Sequence, residues 1–363
     1  SLLTCAPGEE IYSLFGHTAI RYENPSQGID VVFNYGLFSF NTPNFIFRFS
    51  LGETDYQLGV TDYEHFAAEY AFYGRSVWQQ TLNLTDEEKT KLIQLLQENY
   101  RPENRVYRYN FFYDNCATRP RDKIEESIAG KVVYPTEPQD GSRTFRDIVH
   151  QYCKGHPWAR FGIDLCIGSE ADRPITQRQM MFAPFYLMDA FAGAQIVHDS
   201  VQRPLVSGKE LIVDALPEEE EGGWMPTPFQ CSLLLFILTA AATIYSIRKR
   251  TGLWGVDLIL FGAAGIVGCV LAFLALFSEH PAVSSNFLLL VFHPGQLLLL
   301  PYIIYCVRKG KKCWYLTLNL VVLTLFMVLF PLIPQRFDLA VVPLALCLLI
   351  RSASNLILTS KKK

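Results

Sequence analysis

The chain has 363 residues, of which 50% are hydrophobic, and its formal net charge is −3 at pH 7. This weakly acidic balance argues against a nucleic-acid-binding protein, which would carry a basic surface. The length suits one sizeable domain together with a second part. The chain starts at Ser1 rather than Met, so we expect either a mature form whose export signal has been removed or a trimmed sequence.

The N-terminal part alternates turn signals with short apolar and aromatic runs. Residues 17–22 (HTAIRY) and 30–38 (DVVFNYGLF) predict two strands, and the polar stretch between them predicts the turn of a hairpin. Residues 76–84 predict a further strand. Thr85 and Glu88 form a capping-box pattern at the start of the helix that follows.

The middle of the chain mixes extended and helical patterns. Residues 105–113 predict a strand or an extended segment, and residues 117–129 predict a helix directly after a cysteine. Helical patterns recur at residues 144–153 and 175–196. This mixture predicts an α+β domain.

Five apolar segments follow, each of about the length that crosses a bilayer as a helix. They cover residues 227–247, 256–277, 287–307, 313–333 and 337–358. A packed soluble helix of that length would show a polar stripe, and these segments do not. Only three acidic residues occur after position 224. The sequence therefore predicts an all-α transmembrane domain of five helices.

Basic residues predict how these segments are oriented. They cluster after the first segment, between the third and fourth, and at the C-terminus, at Arg248, Lys249, Arg250, Arg308, Lys309, Lys311, Lys312 and residues 361–363. By the positive-inside rule these loops are cytoplasmic, which leaves the N-terminal part outside the cytoplasmic membrane. Arg351, about two turns from the cytoplasmic end, is expected to snorkel to the interface.

The predicted domains are residues 1–216, an acidic linker at 217–226, and the membrane part at 227–363. The glutamates and glycines of the linker cannot pack a core, and Trp224 suits an interfacial anchor. The third apolar segment contains the sequence His-Pro-Gly from His293, which predicts an irregular helix. A polar group at that depth indicates a functional role, and a kink packed against neighbouring helices is the alternative.

One cysteine has the surroundings of a nucleophile. Cys116 lies at the start of a predicted helix, where unpaired backbone N–H groups favour a thiolate, and Arg119 and Arg121 add positive charge. A lone cysteine at a helix start is more often structural, so the prediction needs a base. His17, at the start of a predicted strand after Gly16, is the candidate base.

Two other arrangements of cysteine and histidine are weaker. His150 and His156 flank Cys153, but the spacing lacks a convincing fourth ligand, so we expect no metal site. Cys153 and Cys166 are the more natural pair for an extracytoplasmic disulfide, with two free thiols as the alternative.

Several motifs resemble known families. FGHTAIRY, followed about a hundred residues later by DNCAT, resembles the circularly permuted papain-like fold of the NlpC/P60 superfamily. LLTCAPGEEIYSLFGHTAIRY, FNYGLFSF, NFFYDNCATRPRD and MMFAPFYL, with the five apolar segments, more closely resemble the Lnb-type lipoprotein N-acyltransferases. The resemblance covers essentially the whole chain. It implies a circularly permuted papain-like α+β domain outside the membrane, joined to the transmembrane domain.

The resemblance also implies roles for individual residues. Cys116 would be the nucleophile and His17 the general base, with no cofactor. A third polar residue would orient the imidazole; Asn34 and Asp30 are the candidates, and we favour Asn34 because it lies deeper in its strand. Cys5 also belongs to the family pattern, but the resemblance implies no mechanistic role for it.

Other residues are expected to bind substrate. Tyr12, Asn115 or Arg119 would join the backbone N–H of Cys116 as an oxyanion donor or bind the phosphate of a lipid. His293 would line a groove through which lipid reaches the site.

The implied reaction moves an acyl chain from a membrane phospholipid, through a cysteine thioester, to the α-amino group of a diacylglyceryl-cysteine lipoprotein. The expected partners are a phospholipid donor, a diacylated lipoprotein acceptor and membrane lipids, with no nucleic acid. The expected location is the bacterial cytoplasmic membrane, with a periplasmic N-terminal domain and a cytoplasmic C-terminus. The alternatives are a membrane-tethered cysteine peptidase or amidase acting on peptidoglycan, and a non-catalytic lipid- or lipoprotein-binding protein.

Overall fold

The computed structural model describes residues 1–39, 41, 43–136, 142–199, 201–215 and 225–360. The chain divides into two compact units. The first unit holds Ser1–Tyr152, the described residues from Arg173 to 215, and Glu279–Pro281. The second unit holds Cys153–Asp172 and the described residues of 225–278 and 282–360.

The first unit contains both strands and helices. The strands are β1 Leu2–Cys5, β2 His17–Asn24, β3 Ile29–Leu37, β4 Asp55–Asp62, β5 Val77–Leu82, β6 Val106–Arg108, β7 Lys131–Val133, β8 Gln195–His198, β9 Val201–Pro204 and β10 Val206–Val213. The helices are α1 Phe45–Leu51, α2 Tyr63–Phe72, α3 Asp86–Tyr100, α4 Thr118–Ser127, α5 Phe145–Tyr152, α7 Gln177–Met180 and α8 Pro184–Gly193. The predicted α+β class is confirmed.

A seven-stranded antiparallel sheet organises this unit, in the order β10-β5-β1-β2-β3-β4-β6. The predicted hairpin is confirmed as β2 and β3, where Ile20 is paired with Phe33 and both side chains lie in the hydrophobic core. β7, β8 and β9 form a second, smaller sheet. The circularly permuted papain-like fold stays a prediction, because it depends on more than this strand order.

The predicted capping box is confirmed at the start of α3. The Thr85 hydroxyl accepts a hydrogen bond from the Glu88 N–H, and the Glu88 carboxylate accepts one from the Thr85 N–H. The same carboxylate is buried, where it also accepts from the Ala129 N–H and pairs with Arg203. A cap predicted from local sequence therefore also ties α3 to distant parts of the unit.

The second unit consists of helices, namely α6 Pro157–Cys166, α9 Pro228–Lys249, α10 Trp254–Phe277, α11 Gly295–Leu298, α12 Leu300–Lys309, α13 Trp314–Leu329 and α14 Val341–Ser360. Within the described residues, four helices are long and apolar enough to cross a membrane, and a pair bent by 74° would make a fifth. Four of the five predicted spans are therefore confirmed as helices of membrane-crossing length, and the third corresponds to the bent pair Phe287–Leu298 and Leu300–Lys309.

The break falls where the His-Pro-Gly sequence predicts irregularity. Phe287–Leu290 forms a turn of 3-10 helix, and α11 begins only at Gly295. α10 packs closely against this segment, because a Cβ at Gly268 would lie 2.4 Å from the His293 nitrogen. The absence of a side chain at Gly268 lets the two backbones touch.

The two compact units divide the chain differently from the predicted boundary at residue 216. Cys153–Asp172 belongs to the second unit, where the Asn286 amide donates to the Leu165 carbonyl at 2.7 Å and Phe161 packs on the helical core. Conversely, Glu279–Pro281 lies C-terminal to the predicted boundary but belongs to the first unit. The predicted linker lies largely outside the described residues, as does Trp224.

The predicted disulfide is wrong, because Cys153 and Cys166 are both free thiols. Cys153 is fully buried and Cys166 half-buried within the second unit. Burial among apolar helices gives a free thiol a stable environment without a crosslink.

Arg351 does not snorkel, in contrast to the expectation. Its side chain is 2% exposed and forms a bidentate ion pair with Asp257 of α10, at 2.6 and 3.0 Å. The guanidinium also donates to the Thr243 hydroxyl of α9. The charge of Arg351 is neutralised inside the bundle, so it need not reach the interface.

Replacing one partner of this ion pair should destabilise the protein far more than replacing both partners. We expect Arg351→Met to lower the free energy of unfolding by about 3–5 kcal/mol, because Asp257 is left as an unpaired buried charge. The double variant Arg351→Met with Asp257→Leu should recover most of that loss. Thermal unfolding of the purified protein in detergent measures both; a double variant as unstable as the single one would contradict this account.

Candidate active site

His17 opens β2 at a tight turn of the chain. Gly16 precedes it with φ of +79°, and a Cβ there would lie 2.5 Å from the Cys5 carbonyl oxygen. Only glycine fits this position, because both its backbone conformation and the available space exclude a side chain. The turn brings the imidazole to the end of β2.

The imidazole of His17 contacts the neighbouring strand. Its Nε2 lies 3.1 Å from Asn34 Oδ1 on β3, and Asn34 is buried and donates in turn to the Thr61 hydroxyl of β4 at 3.4 Å. Asp30, the other candidate for this contact, forms a bidentate pair with Arg21 at 2.8 and 2.7 Å. Asn34 is therefore the residue that touches the ring.

The loop before Cys116 is held by the side-chain amide of Asn115. Asn115 is buried; its Oδ1 accepts from the Ala117 and Thr118 N–H groups, and its Nδ2 donates to the carbonyls of Phe111 and Phe182. These contacts occupy both ends of the amide within the protein. Asn115 thus caps the approach to α4 and holds the cysteine in place, whereas the sequence predicts a substrate contact.

Cys116 lies beside both strands of the hairpin. Burial raises the pKa of its thiol, and backbone hydrogen bonding from Thr18, the residue after His17, acts in the opposite direction. On β3, a Cβ at Gly36 would lie 3.4 Å from the Cys116 Cβ. Gly36 has φ of +91° and sits where the pairing register of β3 with β4 shifts. The structure therefore brings Cys116, His17 and Asn34 to one region of the sheet.

Burial keeps both Cys116 and His17 neutral at rest. It raises the pKa of Cys116 to about 11, against the smaller effect of the Thr18 N–H. It lowers the pKa of His17 to about 4, although the hydrogen bond to Asn34 opposes that shift. Near neutral pH Cys116 is therefore a thiol and His17 an uncharged imidazole.

The expected positive charge at Cys116 is neutralised by other partners. Arg119 forms a bidentate pair with Asp114 at 2.6 and 2.7 Å, and buried Arg121 donates to Asp122 and to the Arg178 carbonyl. The prediction that these arginines stabilise a resting thiolate is therefore wrong. The two guanidinium groups hold the ends of the loop and helix instead.

Tyr107 is a residue that sequence reasoning missed. Its ring is buried against the Arg119 guanidinium at 3.5 Å, and its hydroxyl has no hydrogen-bond partner among the described residues. That hydroxyl lies 4.0 Å from the position of a Cβ on Gly36. Burial raises the pKa of Tyr107, and the proximity of Cys116 raises it further. The alternation of polar and aromatic residues in RVYRY was its only signal in the sequence.

Cys5 packs behind the site. It is paired with His17 across β1 and β2 and is fully buried, and burial raises the pKa of its thiol to about 12. Tyr70 hydrogen-bonds to it. A thiol this hard to ionise is a packing group.

The remaining predicted substrate residues lie elsewhere. Tyr12 is 60% exposed and meets Phe38 edge-on at 6.0 Å; Phe38 in turn stacks on Phe45. His293 lies in the second unit, with its Nε2 3.2 Å from the Tyr315 hydroxyl. Among the residues that the structure describes, no group of three His, Cys, Asp or Glu side chains is arranged to hold a metal ion.

Two family models match this chain. Residues 1–150 match the model of the Lnb N-terminal periplasmic domain, and residues 219–363 match that of the Lnb transmembrane domain. The chain belongs to the Lnb family. No curated protein and no solved structure matches it.

The Lnb match assigns the candidate site to a compartment. Cys116, His17, Asn34 and Tyr107 all fall within the Lnb periplasmic domain, whereas His293 falls within the Lnb transmembrane domain. The periplasmic match ends at residue 150, close to Tyr152, where the first compact unit gives way to the second. The roles of individual residues in this Lnb protein rest on the geometry above.

The neutral resting state predicts how the reactivity of the Cys116 thiol depends on pH. Because its pKa is about 11, the thiolate fraction should rise about tenfold per pH unit between pH 6 and 10. Iodoacetamide alkylation, followed by mass spectrometry of the peptide containing Cys116, measures that slope. A preformed thiolate–imidazolium pair would instead react at a constant rate across this range.

Proposed function

We propose that this protein is a lipoprotein N-acyltransferase whose acyl chain passes through Cys116. The observation that carries the proposal is the imidazole of His17, held by Asn34, in the same region of the sheet as Cys116, within the periplasmic domain of an Lnb protein. Family membership supports acyl transfer in lipoprotein maturation. The residues and the course of the reaction are our inference.

The hydrogen bond to Asn34 decides which ring nitrogen acts as the base. Asn34 Nδ2 donates to Thr61, so its Oδ1 faces the ring and can only accept. His17 Nε2 must therefore carry the proton, which leaves the lone pair on Nδ1. Nδ1 takes the proton of the Cys116 thiol as the sulfur attacks.

The first half-reaction makes a thioester. The Cys116 sulfur attacks the ester carbonyl of a phospholipid, the carbon–sulfur bond forms, and the ester carbon–oxygen bond breaks. His17 returns the proton to the departing oxygen, so a lysophospholipid leaves. Because thiol and imidazole start neutral, charge develops only as the bond forms, and fixed donors can stabilise it selectively.

We assign the oxyanion contacts to the Cys116 N–H and the Tyr107 hydroxyl. The hydroxyl is buried, lacks a partner among the described residues, and lies 4.0 Å from the Cβ position of Gly36, which is 3.4 Å from the Cys116 Cβ. An unpaired buried donor becomes satisfied when an oxyanion forms. Arg119, the candidate donor from the sequence, keeps the Tyr107 ring in place from its other face. Asn115 is a positioning residue.

The second half-reaction transfers the acyl chain. The α-amino group of the lipidated cysteine loses a proton to His17 and attacks the thioester. The carbon–sulfur bond breaks, an amide forms, and the proton on His17 returns to the sulfur. Cysteine suits this order because thioesters react readily with amines. The products are a triacylated lipoprotein and the free thiol.

An exposed aromatic surface in the same unit favours lipid over peptide substrates. On α1, Ile46 is 80%, Phe47 58% and Phe49 45% exposed. Apolar surface of this kind is costly in water and suits acyl chains or a lipid surface. A peptidoglycan peptidase would need polar contacts for its substrate. The basic loops favour a cytoplasmic C-terminus in this proposal.

The first test removes the two reacting groups. Cys116→Ala and His17→Ala should each abolish N-acylation of lipoproteins in cells that lack other N-acylation activity, measured by mass spectrometry of lipoprotein N-termini. Cys166→Ala and His65→Ala are matched controls outside the site and should keep activity. Lipoproteins that remain triacylated in either site variant would overturn the assignment.

Mass spectrometry of the enzyme itself separates acyl transfer from the alternatives. Incubation with phospholipid and no acceptor should add one acyl mass to the Cys116 peptide, and that mass should leave when the diacylated acceptor is added. Muropeptide cleavage without acylation would indicate a peptidoglycan hydrolase, and full activity in Cys116→Ser would indicate a carrier.

The oxyanion assignment makes a separate prediction. Tyr107→Phe should lower kcat about a hundredfold with little change in KM, because the hydroxyl would act only in the transition state. Tyr35→Phe is the matched control, since it removes a buried hydroxyl that donates to Asn99. It should change thermal stability and leave kcat nearly unchanged. Equal kcat values in the two variants would exclude Tyr107 as a donor.

A further inference from the structure

A cavity lies wholly within the membrane unit. It has a volume of about 230 Å³ and lies where α9 and α12 end and α10 begins, against one side of α14. Its charged lining consists of Arg250, Arg308, Lys309, Arg351 and Asp257. We call it the basic cavity.

Most of its positive charge has no counterion among the residues that the structure describes. The Asp257 carboxylate is taken by Arg351. Within the part of the chain that the structure describes, no carboxylate pairs with Arg250, Arg308 or Lys309. The ends of α9 and α12 add only partial negative charge, because their last carbonyls accept from the N–H groups of the capping residues. The cavity therefore attracts anions.

A buried hydroxyl in the lining also lacks a partner. Ser354 is 1% exposed, and its Oγ has no hydrogen-bond partner among the described residues. An unsatisfied buried hydroxyl is destabilising, whereas a bound group with acceptor oxygens would satisfy it. Asn355 beside it already accepts from the Cys313 N–H. Ser354 is thus the neutral donor left over for a ligand.

The size of the cavity limits the ligand. Pockets that enclose drug-sized molecules occupy about 300–1,000 Å³, so a volume near 230 Å³ favours a single compact anion over a nucleotide. Two arginines and a lysine match the oxygens of a phosphate, which accept several charge-assisted hydrogen bonds at once. The lining residues stand at the ends of membrane-spanning helices, where lipid headgroups lie.

We propose that the basic cavity binds a phosphate group, through Arg250, Arg308, Lys309 and Ser354. An anionic lipid headgroup and free inorganic phosphate both supply this chemistry. The positive-inside orientation would place the cavity at the cytoplasmic leaflet, whose anionic lipids attract basic residues. The site is independent of the acyl-transfer proposal, since all of its lining residues belong to the second unit.

The experiment uses the full chain in nanodiscs of two compositions. Binding is measured as the rise in unfolding temperature with phosphatidylglycerol in the disc, and as the rise in pure phosphatidylcholine discs on titration with inorganic phosphate. The site variant is Arg250→Gln with Arg308→Gln. Lys312→Gln is the matched control, because it removes an exposed basic residue of the same loop region that does not line the cavity.

Each neutralised residue should weaken binding about fivefold, so the site variant should bind about 25-fold more weakly than the wild type. A rise seen only with phosphatidylglycerol, lost in the site variant and kept in Lys312→Gln, supports a lipid headgroup. The same pattern with inorganic phosphate alone supports free phosphate. Ser354→Ala, which keeps all charges, should weaken binding by a smaller factor.

Two results would overturn the proposal. One is a wild-type protein that neither ligand stabilises. The other is a site variant that responds as strongly as Lys312→Gln, which would mean that only general surface charge attracts the anion. Native mass spectrometry of retained lipid gives a second readout that does not depend on the unfolding transition.

Discussion

The pairing of β2 with β3 is the constraint on which the candidate site depends. It sets Asn34 diagonally across from His17, so that the imidazole has a partner at 3.1 Å. It also places the Thr18 N–H and the Gly36 backbone against Cys116. A slip of one residue would turn these side chains to opposite faces of the sheet. The burial of both strands in two core clusters specifies the register and hence the site.

Desolvation rather than charge sets the resting state of this site. Burial disfavours both the thiolate and the imidazolium, and the nearby arginines do not reverse this because carboxylates neutralise them. Arg119 instead links Asp114 to the ring of Tyr107. Charged pairs thus build the loop that presents Cys116, and neutral hydrogen-bond donors remain near the sulfur. Such preorganised donors stabilise charge that appears only during reaction.

Charged residues of the membrane unit are stabilised in two ways. Asp257 and Arg351, whose side chains are buried, neutralise each other, and with Thr243 they join three helices. At the ends of the helices, Arg250 and Arg308 have no carboxylate partner among the described residues and line a cavity. A buried charge needs a partner from the chain itself, whereas an exposed charge at the headgroup level can find one in its surroundings.

Local patterns in the sequence determined the β2–β3 hairpin, the Thr85 cap, the five apolar segments and the choice of Cys116 and His17 as candidates. Each of these rests on neighbours within a few residues or on the length of one apolar run. Only the tertiary structure decided that Asn34 and not Asp30 touches the imidazole, that α6 joins the membrane unit, and that the thiol of Cys116 is neutral. It also brought Tyr107 and Cys116 to the same glycine, Gly36, and paired Arg351 with Asp257. These outcomes depend on burial and on contacts between residues far apart in the chain, which sequence spacing does not encode.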